Sequence, residues 1–340
     1  MDTDKLVRKP RFCCWVVNYR CMFRCKMCYI WKMKDDYNAE TTMQQKKDFV
    51  RSLRGFVNTD FEFHLSGGEP LMSEGILDLV NFISEEGYRS NLVTNGFLID
   101  ELMAKKIVNS KLSTITLSLD GLRWQTHDFI RGIRGSFKRV IKAIEYLDKY
   151  RKNDKLKISI LTTIMQTNLD EVLKLALWTQ RNRRIEMISF QAVTQPFCQD
   201  MDRDWFRKDQ NRFLWPDDLK KVSKVMIRLK EMKLGGYKIG NHQNHFLHFK
   251  EYFSEPNIFL KKIKCNLGDY EFHVDPYGKI FFCCLAESIG NIKTDNLTAL
   301  WNSAQTQKIR EQVYRCKKNC HIMINCFYQD QPPFENNQSV

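Results

Sequence analysis

The 340-residue chain contains no run of eighteen or more apolar residues, so no segment of it reads as a membrane-spanning helix. Its first residues, MDTDKLVRKPRF, carry mixed charge and lack the apolar stretch that precedes a signal cleavage site, and a cytoplasmic protein is expected. Charge is not concentrated either. The 54 Lys and Arg against 40 Asp and Glu give +14, but the cations are spread through KKIVNSK, FKRVIKAI, RNRR and KKVSKVMIRLKEMK, with no single basic block. A solvated surface accounts for that spread, and a nucleic-acid partner is not expected. What the chain does have is 43% apolar residues, enough for a sizeable core, and twelve cysteines. Without an export signal, a reducing compartment leaves those thiols free for metals or catalysis and argues against a disulfide framework.

Short apolar runs of β type alternate with capped amphipathic helices, the pattern of βα units around a parallel sheet. The runs fall at 12–18, 61–65, 91–93, 114–119, 157–164 and 185–192. Helix boundaries are marked by Thr42 with Gln45, by Ser73, Asp100 and Ser136, and by Asn168 with Glu171. Six units are too few to close an eight-stranded barrel. The expected fold is α/β: a partial (β/α)6 TIM-like barrel over 1–195 and a helical connection over 196–260. A small C-terminal α+β cysteine-rich module follows over 261–330, then a tail over 331–340. The connection includes an amphipathic helix at 217–234. The module opens with a hairpin, 271–274 and 279–283, around Asp275-Pro276-Tyr277-Gly278, followed by a helix at 296–314. His242, His245 and His248 share a helical spacing, but no carboxylate or cysteine lies among them, and they read as polar or stacking residues. The unusual clusters of the first half all follow strands, and the C-terminal strand ends of a βα sheet form one ligand-binding face.

The first of these clusters is CMFRCKMC, with Cys21, Cys25 and Cys28. A four-iron cube normally takes four thiolates, so three leave one iron open to a ligand. Zinc knuckles prefer paired Cys-x2-Cys units, and no second pair lies close. The Cys-x3-Cys-x2-Cys spacing after a strand resembles the radical S-adenosylmethionine (SAM) superfamily. Ser66-Gly67-Gly68-Glu69-Pro70 is similar to the family's GGEP motif, whose backbone and carboxylate hold the SAM amino group. Two glycines allow a close backbone approach, and a carboxylate matches an ammonium. Ser118-Leu119-Asp120-Gly121 with His127-Asp128-Phe129-Ile130-Arg131-Gly132 resembles the SLDG…HDxIRG run of members that carry auxiliary clusters. By that resemblance Ser118 and Asp120 lie near the SAM ribose, and Arg131 pairs with the methionine carboxylate, a role suited to guanidinium. Met27, Tyr29 and Gln191 are candidate adenine contacts, and Asn95 sits in a turn lining the same face.

A second cysteine set occupies the C-terminal module: Cys265, Cys283, Cys316, Cys320 and Cys326, with Cys284 beside Cys283. Twelve residues separate Cys265 from Gly278 and four separate Gly278 from Cys283, which resembles the opening of SPASM and twitch auxiliary-cluster domains. Ile289 to Ile292 and Leu300 to Ser303 look like the connecting segment. The resemblance implies one auxiliary [4Fe-4S] cluster on Cys265, Cys283, Cys316 and Cys320, with Cys326 the substitute for Cys316. A structural zinc site would use the same thiols. Cys284 is a candidate catalytic thiol that exchanges a proton or hydrogen atom with substrate. Cys13, Cys14 and Cys198 read as packing residues.

The resemblance implies an enzyme that splits SAM reductively to methionine and a 5'-deoxyadenosyl radical, which abstracts a substrate hydrogen atom. An auxiliary cluster beside the substrate can accept an electron, which points to dehydrogenation or oxidative bond formation. The implied partners are a small-molecule or peptide substrate and a reductant of the flavodoxin or ferredoxin kind. A peptide or protein maturase of the same superfamily is the alternative. Outside it stands a non-catalytic Fe-S or zinc-stabilised binding protein, which would have no need of the GGEP segment or Arg131.

Overall fold

The computed structural model describes residues 9–151, 155–197, 199–262, 265–316, 320 and 322–325. Cys198, Cys326 and the tail at 331–340 lie outside them. Six strands lead: β1 Phe12–Val16, β2 Glu62–Ser66, β3 Arg89–Thr94, β4 Thr114–Ser118, β5 Lys157–Ile164 and β6 Met187–Ala192. Between them run α1 Met43–Ser52, α2 Ile76–Glu85, α3 Glu101–Asn109, α4 Trp124–Arg131, α5 Ser136–Tyr150 and α6 Val172–Arg181. The expected partial barrel of βα units with a cysteine-rich C-terminal module is present. Strand register is set by alternation. Cys13, Trp15, Phe63 and Leu65 are fully buried toward the helices, where Trp15 meets Phe49 of α1 edge-on at 5.5 Å. The intervening residues Cys14, His64 and Asn91 occupy the opposite, half-open face.

The C-terminal hairpin joins the same sheet. β7 Glu271–Val274, β8 Lys279–Phe281 and β9 Gly290–Asn291 complete nine strands in the order β6-β5-β4-β3-β2-β1-β7-β8-β9. β7 pairs parallel with β1, with Phe12 opposite Glu271 and Cys14 opposite His273. Composition changes near residue 261, but the sheet continues across it. The hairpin turn also locks onto the segment before α1, since Thr41 N–H donates to the Pro276 carbonyl at 2.9 Å.

Helix starts follow the expected chemistry at Thr42, where a reciprocal capping box with Gln45 forms, and at Asp100, whose carboxylate accepts from Met103 N–H. Three caps differ. Ser73 does not start α2, whose N-cap is Gly75; its hydroxyl instead accepts from Asn18 Nδ2. At α5 the cap is supplied from α4, where Asp128 accepts from Gly135 N–H, Ser136 Oγ–H and Phe137 N–H. Asn168 turns inward to donate to the Asp120 and Thr163 carbonyls. The helix at 217–234 appears as α7 Leu219–Leu234, while the one at 296–314 is broken in two, Leu297–Trp301 and Ala304–Tyr314, because Ser303 caps a fresh start.

Candidate active site

The cysteine loop follows β1 and is held from both sides by backbone contacts. On one side Gly68 N–H donates to Asn18 O at 2.8 Å and Glu69 N–H to Arg20 O at 2.7 Å. These contacts demand glycine: a Cβ on Gly67 would lie 2.4 Å from Asn18 O, and one on Gly68 2.0 Å from Arg20 O. The close approach expected of the two glycines is therefore made to the chain's own backbone at the entrance to the cysteine loop. On the other side Arg24 N–H and Lys26 N–H donate to Arg131 O and Ile130 O at the end of α4. Gly132, at φ 69°, makes room there, since its Cβ would fall 2.3 Å from Arg24 O. Cys21, Cys25 and Cys28 thus lie between the GGEP segment and the end of α4.

Glu69 is buried, and its carboxylate serves this scaffold. Oε1 accepts from Thr94 Oγ1 at 2.6 Å and Leu71 N–H at 3.1 Å, and Oε2 from Asn95 N–H at 2.9 Å. A carboxylate offers about four acceptor positions, so one remains for a ligand ammonium. Burial pushes the Glu69 carboxyl up, and those hydrogen bonds oppose the shift. Pro70 begins a single 3-10 turn behind it. Asn95 turns its side-chain carbonyl to Phe97 N–H at 2.9 Å.

Asp120 and Arg131 form a buried ion pair, Oδ2 to Nη2 at 2.7 Å, and Asp120 Oδ1 accepts from Thr163 N–H at 2.9 Å. The sequence directs Arg131 toward a SAM carboxylate; within the protein its fork is turned to Asp120. Burial raises the thiols of Cys21, to about 11, Cys25, and Cys28, to about 12, and the Arg131 charge opposes the shift at each. Metal-free, these thiols are protonated at neutral pH and must release protons on loading. Ser118 is buried at the end of β4, while Gln191 lies on the half-open face of β6. Met27 packs at the core margin, and Tyr29 carries Lys32 Nζ 3.9 Å above its ring.

The site fits a polar ligand bearing an ammonium and a carboxylate. Asn18 Oδ1, His127 Nε2 and Arg131 Nε are buried with no hydrogen-bond partner, and such groups ordinarily find one. Burial holds His127 down to about 3, so its ring is neutral and Nδ1 accepts the Asp120 N–H at 3.2 Å. Asn18, Thr94 and Thr163 do as much positioning as the motif residues, yet no spacing rule marks them. Only their places at strand ends could have drawn attention to them.

In the C-terminal module Cys265 is close enough to feel the charges of Cys283, Cys320 and Cys316, and burial pushes it up to about 12. Those are the four thiols named from the sequence. A hydrogen bond between Cys283 and Cys284 pulls Cys283 down to about 6 and raises Cys284, which is exposed. Arg310 buttresses the group: it donates to Gly268 O at 3.0 Å and covers the Phe282 ring at 4.8 Å. His245 is buried, its Nε2 2.7 Å from Ile324 O, and His248 packs near Phe259, as expected of non-ligand histidines.

Residues 15–179 match the family model of the radical SAM superfamily, and residues 265–327 match that of an iron-sulfur cluster-binding domain, SPASM. The chain belongs to the radical SAM superfamily. As a radical SAM enzyme with a SPASM domain it uses a [4Fe-4S] cluster, SAM and auxiliary iron-sulfur chemistry. It is 26% identical over 320 residues to the AdoMet-dependent heme synthase of Methanosarcina barkeri, covering 93% of this chain and 89% of that protein. It is 30% identical over 158 residues to the Fe-coproporphyrin III synthase of the same organism, covering 46% of this chain and only 38% of the relative. Streptococcus suis SuiB, solved with S-adenosylmethionine, shares the fold at TM-score 0.65 and 16% identity, over 88% of this chain and 68% of SuiB. Among the described residues no helix is long and apolar enough to cross a membrane.

Proposed function

We propose that Cys21, Cys25 and Cys28 hold the open-site cluster and that Glu69, Asp120 and Arg131 hold SAM beside it. The observation that carries this reading is the pair of backbone seams that fix the cysteine loop between the GGEP segment and α4, with Arg131 reaching both Cys25 and Asp120. When bound, the cluster and SAM together supply a 5'-deoxyadenosyl radical for hydrogen abstraction. The chain's own residues bind and orient. Glu69 offers its remaining acceptor to the amino group, Arg131 offers Nε to the carboxylate, and Ser118 and Asp120 border the ribose. Met27, Tyr29 and Gln191 complete the adenine side, and Asn95 lines the same face.

The reaction we assign is redox modification of substrate, by dehydrogenation or oxidative bond formation. The grouping of Cys265, Cys283, Cys316 and Cys320 supports their role as the thiols that would hold an auxiliary cluster, which would supply an electron acceptor beside the substrate. Cys284, exposed beside Cys283, is the thiol assigned to proton or hydrogen-atom exchange. The match across 93% of this chain to a heme synthase supports a small-molecule substrate. Arg131→Met tests the SAM reading by equilibrium binding to the reconstituted protein. Affinity should fall by roughly 10- to 100-fold, the loss of one charge-assisted contact, at unchanged iron content. Unchanged affinity contradicts it.

A further inference from the structure

Cys14, Glu271 and His273 form a side-chain group away from the cysteine loop, on the sheet face turned from the helices. Parallel pairing of β1 with β7 places Cys14 directly opposite His273, and Glu271 lies two residues before His273, on the same face. The Cys14 thiol donates to Glu271 Oε2 at 4.0 Å, and His273 Nε2 lies 3.3 Å from Glu271 Oε1. The three ligand atoms fall within 4.8 Å of one another, and among the described residues no other His, Cys, Asp or Glu group does so. Glu271 is buried, while Cys14 and His273 remain half-buried on the concave face.

We propose that these three residues bind a divalent transition metal, with zinc the ion of choice. One thiolate, one imidazole and one carboxylate are a borderline-soft donor set, suited to zinc and poorly suited to magnesium or calcium. Around a tetrahedral zinc with bonds of about 2.0–2.3 Å, neighbouring donors sit roughly 3.3–3.7 Å apart. The observed contacts, 3.3 Å to Oε1 and 4.0 Å to Oε2, run to the two oxygens of one carboxylate. With the three donor atoms within 4.8 Å of one another, the side chains close on the ion by drawing together by up to about 1 Å. The His273 ring is fixed by stacking on Phe281 at 5.7 Å and 9°. Next to Cys14 across β1 and β2 stands His64, but its Nε2 is directed to Glu62 at 3.5 Å and its ring stacks on Phe12, so it is not a ligand. Three protein ligands leave a fourth position open toward the concave face, the arrangement of a site that takes water or a substrate donor atom. Cys14 is thus a ligand in place of the packing residue its sequence context suggests.

The test uses the holoenzyme with its iron-sulfur clusters assembled, incubated anaerobically with zinc and desalted. About one zinc per chain should be retained at unchanged iron, and zinc X-ray absorption should show one sulfur near 2.3 Å and light-atom donors near 2.0 Å. Cys14→Ser and His273→Ala should each lose that zinc with iron content and circular dichroism unaltered, while His64→Ala keeps it. No retained zinc overturns the proposal. So does zinc that displaces iron, shows several sulfur neighbours, or survives in both Cys14→Ser and His273→Ala. Because the readout is zinc at constant iron, its failure is separable from any failure of SAM cleavage.

Discussion

Glu69 shows what a single residue can and cannot disclose. Its place after two glycines flags it in the sequence as a ligand carboxylate, but three of its acceptor positions are taken by Thr94, Leu71 and Asn95. Leu71 belongs to the same turn, but Thr94 and Asn95 stand at the end of β3, and only the fold brings them to the carboxylate. Arg131 was legible as a functional cation, whereas its pairing with Asp120 was not, since the ten intervening residues of turn and helix carry no contact signal. That pair carries a stability consequence. Asp120→Asn leaves the Arg131 charge buried without its counter-ion, and chemical unfolding of the metal-free chain should show a loss of about 3–5 kcal/mol. A loss below about 1 kcal/mol, the value of a surface pair, would mean the pair is solvated in solution.

At the level of elements, the six parallel strands were readable because each is a short apolar run followed by a capped helix. Their ends shifted by one or two residues where hydrogen bonding, not hydropathy, sets the limit. The caps at Ser73 and Ser136 misled for one reason: a short hydroxyl side chain also serves tertiary contacts, with Asn18 in one case and Asp128 in the other. The joining of β7 to β1 could not be read, because the pairing links residues 12 and 271 and leaves no local pattern. The seam between α4 and the cysteine loop is the element-level prediction. Gly132→Ala forces a Cβ to 2.3 Å from Arg24 O at a positive φ, so the loop must retreat. Iron at the first cluster should become several-fold more labile to a chelator, while iron in the C-terminal module stays. Equal lability at both places would mean the glycine supports the whole fold and not this loop.

Across the whole molecule, the sheet brings two cysteine sets into one structure, one beyond the C-terminal end of β1 and one around the β7–β8 hairpin. Spacing alone marked both sets, and the radical SAM and SPASM family models match the regions that contain them. Substrate identity left no comparable trace, because the residues of the concave face come singly from many strands. The Cys14, Glu271 and His273 group left no trace either, because Cys14 lies more than 250 residues from the other two. The central claim concerns the three-thiol loop. Its most direct test is to reconstitute the chain anaerobically, add SAM and dithionite, and quantify 5'-deoxyadenosine. The wild-type chain should form it, and a Cys21→Ala, Cys25→Ala, Cys28→Ala triple variant should form none while losing about four irons and keeping those of the C-terminal module. A wild-type protein that bound about eight irons yet released no 5'-deoxyadenosine, with or without candidate substrates, would contradict the account.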